Sequence, residues 1–205
     1  LLDSGRTKVR VVGPDEFDVE LTLNLPGDFN VLNALAAIAA SAAIGLIRVS
    51  SAAAISQVNV PGRLERIECG QDFVALVDYA HTPDAVSRVL GVARTCTKGR
   101  LIAVLGCGGD RDSSKRAPMG AAAASAADIV VITDDNPRSE DPASIRAEVL
   151  LGTAGRGAEV IEIDNRLAAV HRAVRIAQPG DCVIVLGKGH ETGQEAKGVI
   201  TPFDD

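Results

Sequence analysis

Residues 128–138 read DIVVITDDNPR, an apolar run that ends abruptly in a cluster of acids, an amide, a proline and an arginine. Four further apolar runs have the same design, and the five begin about every 23 to 30 residues, at 73–80, 101–106, 128–133, 158–163 and 181–187. Stretches typical of helices separate them, at 83–96, 115–127, 142–152 and 166–178. This alternation predicts five parallel strands joined by right-handed helical crossovers.

The apolar runs are continuous rather than alternating, which is typical of strands covered by helices on both faces. Pro83 and Pro142 stand near the first turns of two predicted helices, where a missing N–H costs nothing. Residues 193–205 are a candidate for one more edge strand. We therefore expect an α/β fold, a Rossmann-like, open and mainly parallel sheet of about five to six strands.

The first 60 residues have a different character. Residues 7–13 and 17–24 alternate apolar and polar side chains around the turn signal GPDE, which predicts a β-hairpin. A helix should follow, capped by Asp28 or Asn30, closed by Gly45 and, with its Ala, Leu and Ile body, buried on most sides. A second short helix leads to PGR at 61–63, where we place a boundary between residues 1–60 and 61–205.

Composition excludes several classes of protein. Apolar residues make up 46% of the chain and aromatic residues 2%, so the core should consist of Ala, Val, Leu and Ile. The net charge of −6, without a basic block, argues against nucleic acid as a partner. The sequence contains no uncharged run of 18 apolar residues, so no membrane span is predicted. Its first residues do not have the pattern of a signal peptide, and a cytoplasmic location is expected.

The four cysteines are not spaced as a zinc site, and we expect reduced thiols. Cys107 lies in the glycine-rich sequence LGCGGD. It is interpreted as a small residue in a tight turn rather than as a nucleophile.

Polar, glycine-rich loops follow four of the five predicted strands: DYAHTPD at 78–84, GCGGDRD at 106–112, DDNPR at 134–138 and GKGHE at 187–191. The fourth strand leads only to DNR at 164–166, which is typical of a helix cap. Ligands of open α/β sheets bind at the carboxyl ends of the strands. Four such loops on one edge predict a binding site there.

Residue chemistry narrows the kind of ligand. Arg138 could hold a carboxylate through two parallel hydrogen bonds, with Asn136 in the same loop, and Arg111 is the candidate ligand contact of GCGGDRD. Glu191 could hold an ammonium, and Gly187 lets backbone approach a ligand. The neighbouring GKGHE residues leave alternatives open, since Lys188 could bind an anion or be solvated and His190 could be a base or structural.

The loop after the first strand is ambiguous. Asp78 could hold a ribose hydroxyl or the water of a metal, and His81 could contact phosphate, whereas Thr82 could simply cap the next helix. Arg63, at the boundary, is a weaker candidate for a phosphate or ribose contact. The chain has no G-x-x-G-K-[ST], so if ATP is used its main phosphate loop is not in these residues.

Taken in order, GDFNVLNALAA, PGRLE, DYAHTPD, GCGGDRD, DDNPR and GKGHE resemble the Mur ligase family over essentially the whole chain. An intact DNPR resembles the branch that adds meso-diaminopimelate rather than lysine. The resemblance implies an ATP- and Mg²⁺-dependent amide ligase of peptidoglycan synthesis. In it ATP phosphorylates the D-glutamate γ-carboxyl of a UDP-N-acetylmuramoyl-dipeptide, and the amine of diaminopimelate attacks the acyl phosphate.

The resemblance also implies a domain assignment and residue roles. Residues 1–60 correspond to the end of a central ATP-binding domain and 61–205 to the carboxyl-terminal domain, so we expect a truncated chain that is inactive alone. Positions that hold meso-diaminopimelate are Arg111, Asp135, Asn136, Pro137, Arg138, Gly187 and Glu191. Positions near the nucleotide are Asn33, Arg63, Asp78 and His81. The dipeptide substrate would be held by domains outside these residues, and no catalytic or metal-ligating residue is assigned.

Three alternatives stay open. A folylpolyglutamate synthetase-like ligase shares the fold, but the intact DNPR at 135–138 argues against it. A nucleotide-binding module of a dehydrogenase predicts a glycine fingerprint after the first strand, which DYAHTP lacks. A non-catalytic binding domain is consistent with the missing phosphate loop.

Overall fold

The computed structural model describes residues 6–46 and 48–205. The chain divides into two compact units, Leu1–Val60 and Pro61–Asp205. Each is described by itself.

The first unit is a β-hairpin packed on helices. Strands β1 (Thr7–Val12) and β2 (Asp18–Leu23) pair antiparallel, as predicted, and Gly13 N donates to Phe17 O at 2.8 Å in the turn between them. Helices α1 (Asp28–Ala43) and α2 (Arg48–Ser56) follow. Their small core consists of Val11, Phe17, Leu21, Leu23, Ala34, Ile38 and Ala52.

Two expectations for α1 were wrong. The N-cap is Gly27, with no side-chain cap, and the Asn30 amide instead donates to Pro26 O at 2.8 Å. Only one face of the helix is buried in the described chain, and Leu32 is 66% exposed. An alanine-rich helix is apolar all round, so its hydropathy does not reveal which face packs. Gly45, with φ of 82°, ends the helix as expected.

The second unit is built on a six-stranded sheet in the order β3-β4-β8-β5-β6-β7. Its strands are β3 (Glu65–Ile67), β4 (Val74–Asp78), β5 (Leu101–Cys107), β6 (Ile129–Asp134), β7 (Glu159–Glu162) and β8 (Cys182–Leu186). Strands β4 to β8 are the five predicted parallel strands, and the short edge strand β3 runs antiparallel to β4.

The tail does not extend this sheet, which corrects the prediction for residues 193–205. Strands β9 (Gly193–Ala196) and β10 (Val199–Pro202) form a separate two-stranded hairpin. Its turn consists of Lys197 and Gly198, both with positive φ (50° and 74°). Two consecutive residues of positive φ are typical of a tight two-residue hairpin turn, which turns the chain back on itself.

Helices cover both faces of the sheet, as predicted. The chain moves in one direction from β4 through β5 and β6 to β7, then returns to place β8 between β4 and β5. Right-handed crossovers therefore put α3 (Pro83–Thr95), α4 (Arg116–Ala126) and α5 (Pro142–Thr153) on one face and α6 (Arg166–Ile176) on the other. Accordingly, α4 packs against α3 and α5, while α6 packs against β5, β6 and β8.

The core is aliphatic, as the composition predicts. On the α6 face it consists of Ile102, Val104, Ile129, Val131, Ala169, Ala173, Val183 and Val185. On the other face α4 and α5 approach closely, since a Cβ added to Gly152 would lie 1.8 Å from Ala117 O. Glycine at position 152 is thus required by backbone-to-backbone packing.

Local capping agrees with the sequence signals. The Thr82 hydroxyl accepts from Ala85 N at 3.3 Å ahead of Pro83, and the Asn165 side chain accepts from Ala168 N at 2.9 Å. DNR at 164–166 is therefore a cap, as predicted. The carboxyl ends of β4, β8, β5 and β6 remain neighbours on one edge of the sheet.

Candidate functional site

A cleft of about 230 Å³ opens at the carboxyl ends of the parallel strands. All four polar loops singled out in the sequence contribute to it. Its lining residues are Tyr79, His81, Gly106, Cys107, Gly108, Arg111, Lys115, Met119, Asp135, Asn136, Arg138, Gly187 and Glu191. Six of the seven residues expected to hold diaminopimelate are in this set, and the seventh, Pro137, lies in the same loop.

Two arginines, Arg111 and Arg138, line the cleft. Arg138 Nη1 donates to Gly109 O at 2.7 Å, and its Nε lies 3.3 Å from Glu195 Oε2. A Cβ added to Gly108 would lie 2.9 Å from Arg138 Nη1 and 3.9 Å from Arg111 Cγ. Both arginine side chains therefore pass beside Gly108, and both residues line the cleft.

The DDNPR loop packs directly on the GCGGDRD loop. Gly109 N donates to Asn136 O at 2.9 Å, and a Cβ at Gly109 would lie 2.0 Å from Pro137 O. Pro137 thus shapes the loop through its backbone. Arg138 has a φ of 52°, a conformation that an L-residue other than Asn or Asp adopts rarely and at a cost of about 1–2 kcal/mol.

The anionic half of the cleft is the pair Asp135 and Glu191, which lie around a buried lysine. Lys188 has no exposed surface, and its Nζ lies 3.5 Å from Asp135 Oδ1, 3.0 Å from Asn136 Oδ1 and 3.3 Å from Glu191 Oε2. Asn136 Nδ2 also donates to Glu191 Oε2, at 2.9 Å. Of the two alternatives for Lys188, burial excludes the solvated one, and its anionic partners belong to this chain.

The β9–β10 hairpin supports the site, a role that the sequence did not predict. Gln194 Nε2 donates to Asp135 O at 2.6 Å, and Glu195 N donates to Asn136 Oδ1 at 2.9 Å. Backbone bonds from Arg138 N to Glu195 O (3.0 Å) and from Lys197 N to Arg138 O (2.6 Å) complete the contact. The turn at Lys197 and Gly198 was a readable hairpin signal, but nothing local shows where a hairpin docks.

A buried arginine behind the cleft was missed as well. The Arg166 guanidinium donates to both carboxylate oxygens of Asp205 at 2.6 Å, and neither side chain is exposed. It also donates to Leu186 O at 3.0 Å and to Asp134 O at 3.4 Å. These carbonyls immediately precede Gly187 and Asp135, so Arg166 braces the bases of two site loops.

Asp134, the first residue of the DDNPR cluster, is engaged elsewhere. Its carboxylate accepts from Arg146 Nη1 at 2.5 Å, and Arg146 also pairs with Glu162. Burial raises the pKa of Asp134, against the lowering effect of Arg146. This acid therefore belongs to a structural ion pair beside the cleft.

The four residues expected near the nucleotide differ in burial and in the unit to which they belong. Asp78 is buried, and its two carboxylate oxygens accept from Leu64 N at 2.7 Å and Ala80 N at 2.8 Å. Burial raises its pKa, although these two bonds and the charge of Arg63 act in the opposite direction. Asp78 thus fixes the backbone around Arg63 and His81, a structural role that its sequence context did not reveal.

Arg63 and His81 lie around Tyr79. The Arg63 guanidinium carbon is 4.8 Å from the centre of the Tyr79 ring, within cation–π range, and Arg63 is exposed. His81 Nδ1 is 2.8 Å from Tyr79 O, and its ring lies 4.7 Å from that of Tyr79. Asn33 lies in the first unit, exposed on α1, with its amide 3.3 Å from Asn30 Oδ1.

Cys107 is unsuited to nucleophilic chemistry. It is buried, its Sγ is 3.7 Å from Met119 Sδ, and burial raises its pKa to about 12. The thiolate, which is the reactive form, is therefore scarce at neutral pH.

Two kinds of feature do not occur in residues 6–46 and 48–205. Over those ranges, no group of three or more His, Cys, Asp or Glu side chains converges as metal ligands. Within the same part of the chain, none of the helices combines the length and hydropathy that crossing a bilayer requires.

Comparison with known proteins gives a consistent pattern. The family profile described as "Mur ligase, glutamate ligase domain" matches residues 62–189. A protein of Corynebacterium glutamicum, named UDP-N-acetylmuramoyl-L-alanyl-D-glutamate–2,6-diaminopimelate ligase, is 51% identical over 209 residues, which cover 99% of this chain and 40% of the relative. A protein of the same name from Streptomyces avermitilis is 54% identical over 201 residues, 95% of this chain and 40% of the relative.

Solved structures agree on the fold. A structure of a ligase of that name superposes with a TM-score of 0.67 at 38% identity, over 96% of this chain and 40% of the other. Folylpolyglutamate synthase from Thermotoga maritima gives the same TM-score at 20% identity, over 89% of this chain and 41% of the other, a likeness of fold alone. The chain thus spans about 40% of the length of the Corynebacterium and Streptomyces relatives.

Proposed function

The chain belongs to the Mur ligase family, and we propose that it is the amino-acid-binding part of an ATP-dependent ligase that joins meso-diaminopimelate to UDP-N-acetylmuramoyl-L-alanyl-D-glutamate. The reaction would serve peptidoglycan precursor synthesis in the cytoplasm. Relatives with that name are 51% and 54% identical to this chain over 99% and 95% of its length. They support the assignment, and the cleft supplies its physical basis.

The observation that carries the proposal is that two arginines and two carboxylates line one cleft. Arg111 and Arg138 both pass beside Gly108, whereas Asp135 and Glu191 lie around Lys188. Diaminopimelate has a carboxylate and an ammonium at each end. A cleft with two guanidinium groups and an anionic patch is complementary to such a ligand.

Discrimination against lysine follows from the same arrangement. Lysine lacks the second carboxylate, so one guanidinium of the cleft would be left without its anion. Each hydrogen bond to a charged group contributes about 1.5–3 kcal/mol, and a partner left unpaired adds a further penalty. A site built on such pairs can reject the analogue that lacks one by roughly 10⁴-fold.

We assign the role of this chain to holding the attacking amine. The implied reaction forms an acyl phosphate on D-glutamate, which the amine of diaminopimelate attacks with loss of phosphate. Positioning of the amine can contribute several kcal/mol to such a step, provided that the reacting atoms are held about 3–3.5 Å apart. The charge pairs around Arg138 and Glu191 would supply that positioning.

ATP and Mg²⁺ would be held mainly outside these residues. The chain has no phosphate loop, and no metal-ligand cluster occurs in the described ranges. Arg63, an exposed cation above Tyr79, fits a contact with a nucleotide phosphate or ribose. Asp78 and His81 support that loop, and we assign residues 1–60, with Asn33, to the end of the ATP-binding domain.

A competition experiment tests the proposal. A full-length ligase that contains this chain is given meso-diaminopimelate and L-lysine with ATP and UDP-N-acetylmuramoyl-L-alanyl-D-glutamate, and kcat/KM is measured for each amino acid. We expect a preference for diaminopimelate of at least about 10³-fold. A ratio below about tenfold, corresponding to about 1.4 kcal/mol, would refute the assignment.

A further inference from the structure

We propose that Lys188 is a positioning residue: its buried ammonium fixes the orientation of Asn136 and of Glu191, and thereby sets the anionic half of the amino-acid cleft. This inference rests on the proposed function, because the role of Lys188 is defined by the ligand that the cleft binds. It assigns the specificity of the anionic half to a side chain that has no exposed surface and does not line the cleft.

The orientation of Asn136 follows from donor and acceptor chemistry. Lys188 Nζ and Glu195 N both approach Asn136 Oδ1, at 3.0 and 2.9 Å, and neither can accept a hydrogen bond. The oxygen of the amide must therefore face these donors. The NH₂ group is left to point at Glu191 Oε2, 2.9 Å away.

The orientation of Glu191 follows in turn. Among the described residues, Lys188 Nζ and Asn136 Nδ2 both bond to Oε2 of its carboxylate, at 3.3 and 2.9 Å. Two donors on one oxygen turn the other, Oε1, toward the remaining space. Since Glu191 lines the cleft and is partly exposed, Oε1 is the atom presented to a ligand ammonium.

Charge balance gives Lys188 a second effect. Asp135 and Glu191 are both within 3.5 Å of its Nζ, so one cation serves two carboxylates and the group carries a net charge of about −1. One uncompensated negative charge matches one ammonium. Without Lys188 the two carboxylates would repel each other, and Glu191 would keep only the bond from Asn136 Nδ2.

A purely structural role would produce a different result. Loss of a buried cation that only supports folding should lower stability and affect all substrates alike. Loss of a positioning residue should raise the KM for the amino acid and leave the KM for ATP unchanged. Lys188→Met, close in length and without charge, separates these outcomes when both constants are measured in the full-length ligase.

We expect the KM of Lys188→Met for meso-diaminopimelate to rise at least about tenfold, with the KM for ATP within about twofold of wild type. Arg100→Met is the matched control. Arg100 pairs with the buried Asp181 where β5 and β8 begin, at the ends of the strands opposite the cleft. It should lower the melting temperature without changing the KM for diaminopimelate.

Lys188→Met leaves Asp135 without its cation, so this single variant could fail to fold. In that case the double variant Lys188→Met/Asp135→Asn replaces it, because the double variant removes the unpaired carboxylate as well. The double variant is compared with Asp135→Asn rather than with wild type. A KM for diaminopimelate at least about tenfold above that of Asp135→Asn supports the proposal. The proposal is overturned if the KM for diaminopimelate rises by no more than about twofold, either in the double variant relative to Asp135→Asn or in folded Lys188→Met relative to wild type. It is also overturned if the KM values for diaminopimelate and for ATP rise together. Failure of wild-type enzyme to prefer diaminopimelate over lysine would instead refute the proposed function.

Discussion

We assign the guanidinium of Arg138 to the distal carboxylate of diaminopimelate, and replacing Arg138 with alanine should remove that contact. Alanine is the informative substitution because position 138 has a φ of 52°, at which alanine is strained much as arginine is. Glycine would relax the backbone and mix two effects. The alanine variant therefore reports on the loss of the side chain.

The expected magnitude follows from the contacts of this side chain. Nη1 donates to Gly109 O, and Nε faces Glu195. A guanidinium has five N–H donors, so about three remain for a ligand. A carboxylate bound through two of them would lose about 3 kcal/mol, taking the lower estimate of about 1.5 kcal/mol for each bond. That loss lowers kcat/KM for diaminopimelate roughly 100-fold.

The assay is steady-state phosphate release by the full-length ligase, with diaminopimelate varied and the other substrates saturating. The kcat/KM for lysine should not fall, because lysine has no distal carboxylate to lose a contact and the variant leaves no guanidinium unpaired, so the variant should also discriminate less. Arg94→Ala is the control. Arg94 pairs with Asp128 just before β6 begins, at the ends of the strands opposite the cleft. If Arg138→Ala keeps its kcat/KM for diaminopimelate within about threefold of wild type, the assigned contact is wrong.

Two further predictions concern buried groups. Arg166→Met leaves the buried Asp205 carboxylate without its cation and should lower the free energy of unfolding by about 3–5 kcal/mol; a loss below about 1 kcal/mol in urea titration would contradict the brace. Burial raises the pKa of Cys107 to about 12 from 9.0. The unfolded chain releases this proton first, so stability falls as the pH rises from about 9 toward 12, by up to about 1.4 kcal/mol per pH unit. Cys107→Ala should show a shallower fall than wild type, and equal slopes would refute this reasoning.

Much of the site was predictable because the relevant signals are local. Apolar runs such as 101–106 and 128–133 form parallel strands, and parallel strands bring their carboxyl ends to one edge. It follows that residues just beyond those ends, such as Arg111, Arg138 and Glu191, share a cleft. The binding roles assigned to them remain predictions.

Other features needed the assembled molecule. Strand β8 lies between β4 and β5, about 80 to 110 residues away in sequence, and side-chain bonds then join the GKGHE loop to the DDNPR loop, which follows β6 on the far side of β5. The β9–β10 hairpin docks on Arg138, and Asp205 reaches Arg166 across 39 positions. Such pairings are set by packing between distant segments, which no local periodicity encodes.

The sharpest contrast is between Arg138 and Lys188. Both stand just beyond a buried strand in a polar loop, and in the sequence both are simply cations. Whether a cation faces a ligand or is enclosed by acids of its own chain depends on desolvation and on partners that the fold supplies. The sequence alone predicts the strands, the helices and the ends of the strands at which the cleft lies. The burial of the Lys188 ammonium, the orientation of the Asn136 amide and the Arg166–Asp205 pair depend on contacts between segments that are distant in sequence.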